Sequence, residues 1–211
     1  YTFWKQLQLN GNEIKNQLLQ LKQRHPDPSS AKYLFLESKE YLEQDPRRCD
    51  PTARAVAFYV VNKCSFSGLT ESSSFSKQAS DSNFSMRGIE KLPYYSQLIQ
   101  KWQITNLSYE QLLTDERDIF VYLDPPYDIK TNLYGKKGNM HRGFDHDKFF
   151  YDCDKFKCDQ MVSYNSSNLI KSRFIDWKPY EYDHTYTMRS VGEYMQEQQS
   201  RKELLLLNYV V

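Results

Sequence analysis

Ile119-Phe120-Val121-Tyr122-Leu123-Asp124-Pro125-Pro126-Tyr127 decides how this chain is read. Five apolar residues without polar alternation predict a short strand of a parallel sheet covered on both faces. The run ends abruptly in an acid and two prolines. In open α/β sheets ligands bind at the carboxyl ends of strands, so a rigid polar turn there occupies a functional address.

Each proline fixes its own φ and has no amide proton, which leaves carbonyl oxygens as acceptors beside the Asp124 carboxylate, with the Tyr127 ring next to them. Such a cluster suits an exocyclic amine on a planar ring. That amine has two N–H donors and a lone pair delocalised into the ring, so it is a poor nucleophile until both hydrogens are accepted and electron density returns to nitrogen. Tyr127 is positioned to stack on the ring, and positioning and electrostatics are the main contributions asked of the protein. Neither a metal nor a nucleophilic side chain is required. Taken alone, Asp-Pro-Pro-Tyr also reads as a plain rigid turn.

Outward from the turn, Gln160-Met161-Val162-Ser163-Tyr164 predicts a second strand and Leu204 to Val211 a third. Ile104-Thr105-Asn106-Leu107 reads as another short strand, followed by a helical turn or two from Tyr109 to Leu113. Strands separated by helical stretches indicate an α/β sheet with helices on its faces. Upstream, Phe3, Leu7, Ile14, Leu18, Leu19 and Leu21 recur at helical spacing from almost the first residue. Pro26, Pro28 and Ser29-Ser30 break that helix, Tyr33 to Tyr41 is a short element, and Asp45-Pro46 is a second break. Asp50-Pro51-Thr52 is a helix start with proline in the first turn, and residues 53–64 are apolar on most sides, as a buried helix would be. Between Thr70 and Arg87 serines interleave with Phe75, Lys77, Phe84 and Arg87, which suits either a linker or a hairpin or loop meeting a nucleic-acid backbone.

With 28 Lys plus Arg against 27 Asp plus Glu, the net charge is +1, so any polyanion-binding surface must be local. Cys49, Cys64, Cys153 and Cys158 lack paired CxxC spacing and a histidine in ligand register, so buried reduced thiols are expected rather than zinc. His141 and His146 are expected to order a loop, not to bind metal or act as a base. No apolar run approaches the ~18 residues of a membrane span and no signal peptide is visible, so a soluble cytoplasmic protein is expected.

Several segments resemble, in order, the Dam-type family of adenine-specific DNA methyltransferases. Besides the Asp-Pro-Pro-Tyr turn, Asn62-Lys63-Cys64-Ser65-Phe66-Ser67-Gly68-Leu69 looks like that family's Asn-Arg-x-x-Phe-Asn-Gly-Leu stretch, with Lys63 for arginine and Ser67 for asparagine. Leu133-Tyr134-Gly135, His141 and Phe144-Asp145-His146 look like the loop after the turn. Ser163-Tyr164-Asn165 resembles the end of the next strand, and Lys202 to Tyr209 the closing strand, chiefly structural. The resemblance implies an α/β, Rossmann-like S-adenosylmethionine-dependent methyltransferase sheet with an inserted, mainly helical DNA-recognition domain. On that pattern residues 1–24 are a helix of the catalytic domain, 25–100 the target-recognition insertion and 101–211 the rest of the catalytic domain.

The resemblance further implies S-adenosyl-L-methionine as cofactor, duplex DNA as partner, no membrane, and a monomer or weak dimer. A target adenine leaves the stack and its amine meets the acceptors of the turn. Asp124, Pro125, Pro126 and Tyr127 carry the catalytic role, and Asp124, Asn106 and Leu107 contact the cofactor. DNA contacts fall to Asn62, Lys63, Ser65, Phe66, Thr70, Glu71, Ser72, Ser73, Ser74, Lys77, Arg87, Tyr134, His141, Ser163, Tyr164 and Asn165. Of these, Thr70 to Ser74 are base-edge candidates and Lys63, Lys77 and Arg87 phosphate candidates.

Two departures qualify the pattern. The family's Phe-x-Gly-x-Gly cofactor loop is missing: no two of the seven glycines form Gly-x-Gly after an apolar strand. A segment before Tyr1 is therefore expected to carry that loop, and these residues alone are expected to be inactive. Glu71 stands where enzymes reading GATC tend to have an arginine, and a carboxylate cannot make the bidentate guanine contact, so a target other than GATC is expected. Methylation of another planar amine, such as RNA adenine or cytosine N4, and a DNA-binding module without a cofactor site stay open as alternatives.

Overall fold

The computed structural model describes residues 1–68, 73–128, 143–184 and 201–210. They divide into two compact units, Tyr1–Asn106 and Leu107–Val211.

The first unit is helical. α1 (Thr2–Arg24) buries Leu7, Ile14 and Leu18 and kinks at Asn10, whose backbone leaves helical geometry. Beside the kink, Gly11 lets α6 (Leu92–Leu98) approach so closely that a Cβ there would sit 2.5 Å from Ser96 Cβ. The Gln8 amide spans the same contact, donating to the Ile99 carbonyl at 2.6 Å and the Trp102 carbonyl at 2.8 Å, and so satisfies acceptors where α6 ends.

α2 (Pro28–Glu43) already begins within the stretch read as a break, because Asp27 caps it, accepting from the Ser29 and Ser30 amides, and proline is tolerated in the first turn. It is a full helix where only a short element over Tyr33 to Tyr41 is legible. α3 (Pro51–Cys64) is capped by Asp50 and is the buried helix expected, with Ala55, Val60, Val61 and Cys64 fully enclosed.

The serine-rich stretch is not a linker. Ser65 and Phe75 pair as an antiparallel bridge, with the Phe66 amide on the Ser74 carbonyl, so the two arms of the intervening loop are tied at its base. Beyond it lie two short helices, α4 (Lys77–Ser82) and α5 (Met86–Glu90), capped by Ser76 and Ser85. The serines that suggest a linker serve here as helix caps, because a short hydroxyl satisfies orphan amides at a helix start.

Ile104 to Leu107 forms no strand. Ile104 alone packs against the first unit's core, and with Thr105, Asn106 and Leu107 exposed the run has no apolar face to bury.

The second unit is a mixed sheet in the order β1-β2-β4-β3: β1 (Phe120–Leu123), β2 (Asp159–Asn165), β3 (Lys178–His184) and β4 (Arg201–Leu207). β1 and β2 are parallel, whereas β4 runs antiparallel to both β2 and β3. α7 (His146–Lys155) and α8 (Asn168–Arg173) follow β1 and β2 in the chain. Phe149, Cys153, Ile170 and Phe174 from these helices and the turn after them join Leu123, Val162, Tyr164, Leu204 and Leu206 in one core.

Among the described residues β1 is not covered on both faces: Phe120 and Tyr122, on the face opposite Val121 and Leu123, are 54% and 55% exposed. β3 escapes the sequence reading because Pro179 lies within it and only Tyr180 and Tyr182 alternate with polar residues. At the margin of the sheet a proline is tolerated, since one side of the strand needs no ladder donor.

Candidate active site

Parallel pairing in register, with Leu123 opposite Val162, brings the end of β1 beside the end of β2. Asp124 thereby meets Ser163, whose hydroxyl donates to Asp124 Oδ1 at 2.7 Å and itself accepts from the Tyr122 hydroxyl at 3.0 Å. Asp124 is exposed, Pro125 buried, and Pro126 and Tyr127 half-buried, so the corner holds its acid out on a packed proline. Asp124 Oδ2 takes no bond among the described residues.

Side-chain contacts restrain Tyr127 as well as its backbone. Its ring leans on Tyr164 with centroids 6.4 Å apart at 38°, and its hydroxyl donates to Glu203 Oε2 at 2.7 Å. Glu203 sits on β4 opposite Asn165 of β2, and hence at the same end of the sheet as the corner. Tyr164 is fully enclosed, its hydroxyl 2.8 Å from His146 Nδ1. Burial raises its phenol pKa well above the ordinary value. Arg173 reaches Asp128 at 3.4 Å and Asp147 at 2.6 Å, tying the residue after the corner to the first turn of α7.

The Tyr182 phenol is pushed up first by burial and then by the charge of Glu203 and the groups at Tyr122 and Asp124. The Asn165 side-chain oxygen is buried without a hydrogen-bond partner. The site thus has an exposed carboxylate, an aromatic ring and an unsatisfied acceptor, a set that accepts donors and does not supply a nucleophile.

Of the residues singled out from sequence, Asp124, Pro125, Pro126, Tyr127, Ser163, Tyr164 and Asn165 are gathered at this end of the sheet. Tyr164 lies behind Tyr127, not on the surface. Asn106 and Leu107 are exposed in an irregular stretch where one unit ends and the other begins.

In the first unit, the Asn62 amide donates to the Gly68 carbonyl at 2.6 Å, holding a turn whose glycine has φ +69°. Lys63 Nζ lies 5.7 Å above the Tyr59 ring. Ser65 and Ser73 are buried, and the Ser73 carbonyl accepts from Lys39 Nζ at 2.7 Å. Phe66, Ser74, Lys77 and Arg87 are exposed. Thr70, Glu71, Ser72, Tyr134 and His141 lie outside the described residues.

Tyr122, Glu203 and Arg173 are the members that sequence reasoning missed. Tyr122 was counted as strand and Glu203 as part of a structural strand. Pairing across β1, β2 and β4 sets Tyr122 and Glu203 at the corner, and Arg173 reaches it from the end of α8.

A cleft lined by Arg117, Lys157, Asp159, Asp176 and Trp177 lies at the opposite, amino-terminal end of β2. It shares no residue with the corner. Among the described residues no cluster of histidine, cysteine or carboxylate groups could hold a metal, and no helix is long and apolar enough to cross a membrane.

No curated protein matches the chain significantly. A family model does, and over most of its length: residues 1–188 match that of the D12 class N6 adenine-specific DNA methyltransferases, and the chain belongs to this family.

Proposed function

We propose that this protein is a site-specific DNA adenine-N6 methyltransferase and that the Asp124–Tyr127 corner receives the amino group of an adenine turned out of the duplex. The observation that carries the reading is the state of Asp124: exposed, with Oδ1 held by Ser163 and Oδ2 open, on the same short turn as Tyr127. A stacked adenine cannot present its amine to such a corner, so the base must leave the helix. Asp124 and the Pro125 carbonyl then accept the two amine hydrogens, and Tyr127 stacks on the purine.

S-adenosylmethionine, the donor this family uses generally, supplies an electrophilic methyl group when bound. The described residues fit the acceptor side of the transfer, where Asp124 is the group the corner itself offers. They do not form a cradle for the donor's methionine end. Gly11 and Gly88 lie inside helices, Gly68 in a helical turn and Gly143 just before α7, so none of them follows a strand. No step is assigned to the donor beyond this.

Phe66, Ser74, Lys77 and Arg87, exposed on the helical unit, are proposed to meet DNA, the two cations at phosphates. With a net charge of +1 that contact has to be local.

The test is to incubate the full-length protein, including whatever precedes Tyr1, with duplex DNA and methyl-labelled S-adenosylmethionine and to digest the product to nucleosides. N6-methyladenine is expected, with a loss of about 100-fold or more in Asp124→Ala, the scale for removing a principal electrostatic stabiliser. Label in another nucleoside, or transfer by Asp124→Ala at wild-type rate, contradicts the assignment. One second reading is a DNA-binding module without transfer activity, since no glycine cradle is found among the described residues. Saturable binding of labelled S-adenosylmethionine to the chain would dispose of it.

A further inference from the structure

We propose that Glu203 of β4 is a positioning residue for Tyr127, acting through the phenol hydroxyl; the proposal rests on the reading of Tyr127 as the surface on which the target base stacks. Glu203 is only 4% exposed. A carboxylate so enclosed is costly unless hydrogen bonds compensate it, and Tyr127 provides one at 2.7 Å, in the range of a strong bond from a hydroxyl to an oxyanion.

A tyrosine ring on a turn can swing about its side-chain torsions. Here Pro125 and Pro126 stiffen the backbone that carries it, Tyr164 backs its face, and Glu203 holds the far end. Tyr164 is itself fixed by the core and by His146. The ring is thus ordered before any base arrives, so binding need not restrict it again. Register explains why β4 supplies this group: Glu203 pairs with Asn165, the last residue of β2 and two beyond Ser163, the partner of Asp124. One sheet end therefore holds both the acid of the corner and its ring.

The test is a double-mutant cycle in the full-length protein with Glu203→Ala, Tyr127→Phe and the pair, reading methyl transfer to DNA. A ¹³C-labelled tyrosine spectrum is read in parallel for Glu203→Gln, which keeps the shape and an acceptor oxygen. Each single change is expected to slow transfer by roughly 10–100-fold, the scale for a hydrogen bond to a charged group. The pair should be no worse than Tyr127→Phe alone. Glu203→Gln should restore most of the rate while moving the Tyr127 ring-carbon resonance.

Multiplicative losses in the pair, or an unmoved Tyr127 resonance in Glu203→Gln, would overturn the proposal. A chain that methylates no adenine refutes the proposed reaction, and the spectrum then decides alone whether Glu203 holds Tyr127.

Discussion

A serine hydroxyl has one proton, and Ser163 directs it at Asp124 while its oxygen accepts from Tyr122. The bond restrains the Asp124 carboxylate at Oδ1 and, on the proposed reading, leaves Oδ2 for the amine. Ser163→Ala removes that restraint without altering the size of the strand core. Transfer to adenine is expected to fall by roughly 10–100-fold, the scale of a lost hydrogen bond to a charged group, with DNA affinity nearly unchanged. Comparing the rate and the affinity of the variant checks this. A loss confined to affinity would place Ser163 on the base instead of on Asp124.

Among the elements, the contact of α1 with α6 depends on Gly11 having no side chain. A Cβ there meets Ser96 Cβ, a backbone-attached carbon that cannot swing away, so Gly11→Ala should cost on the order of 1–3 kcal/mol through forced separation of the helices. Urea unfolding measures it, and Gly11→Ala combined with Ser96→Gly should recover most of the loss.

α7 is tied to the turn before β1 by Lys148, which bridges Asp152 and Glu110, while the Tyr109 hydroxyl donates to Asp152 at 2.9 Å. Lys148 foremost, and then Tyr109, hold the Asp152 carboxyl below its ordinary range. Burial, followed by the bond to Asp152, pushes the Tyr109 phenol up to about 12. A carboxyl depressed in the folded state contributes stability that is complete above its unfolded pKa of about 3.9 and is lost as pH falls through the lower folded value. Asp152→Asn should therefore reduce stability near neutrality and flatten its decline in acid. Denaturation midpoints measured across that range would show it, and an unchanged acid limb would mean the bridge contributes nothing.

For the whole molecule, the four cysteines are free and buried. Burial pushes the Cys64 and Cys153 thiols up to about 12, so the reactive thiolate is scarce at neutral pH. Thiol reagents should label the native protein slowly and all four sites rapidly once it is unfolded. Fast labelling of the native state would show that one of the two units opens readily.

What the sequence determined by itself was whatever is encoded locally. The start of α3 is set by Asp50-Pro51, its burial by an unbroken apolar run, and the corner after β1 by Asp124-Pro125-Pro126-Tyr127, because caps, prolines and apolar runs act within a few residues. Ile104 to Leu107 shows the limit of that logic: strand-like letters make no strand without a face to bury or a neighbour to pair with. Only the tertiary structure decided that Ser163 holds Asp124, that Glu203 holds Tyr127 some 76 residues away, and that Arg173 ties Asp128 to Asp147. Those bonds depend on strand order and register, which are set by pairing between distant segments, and no single stretch of the chain contains that information.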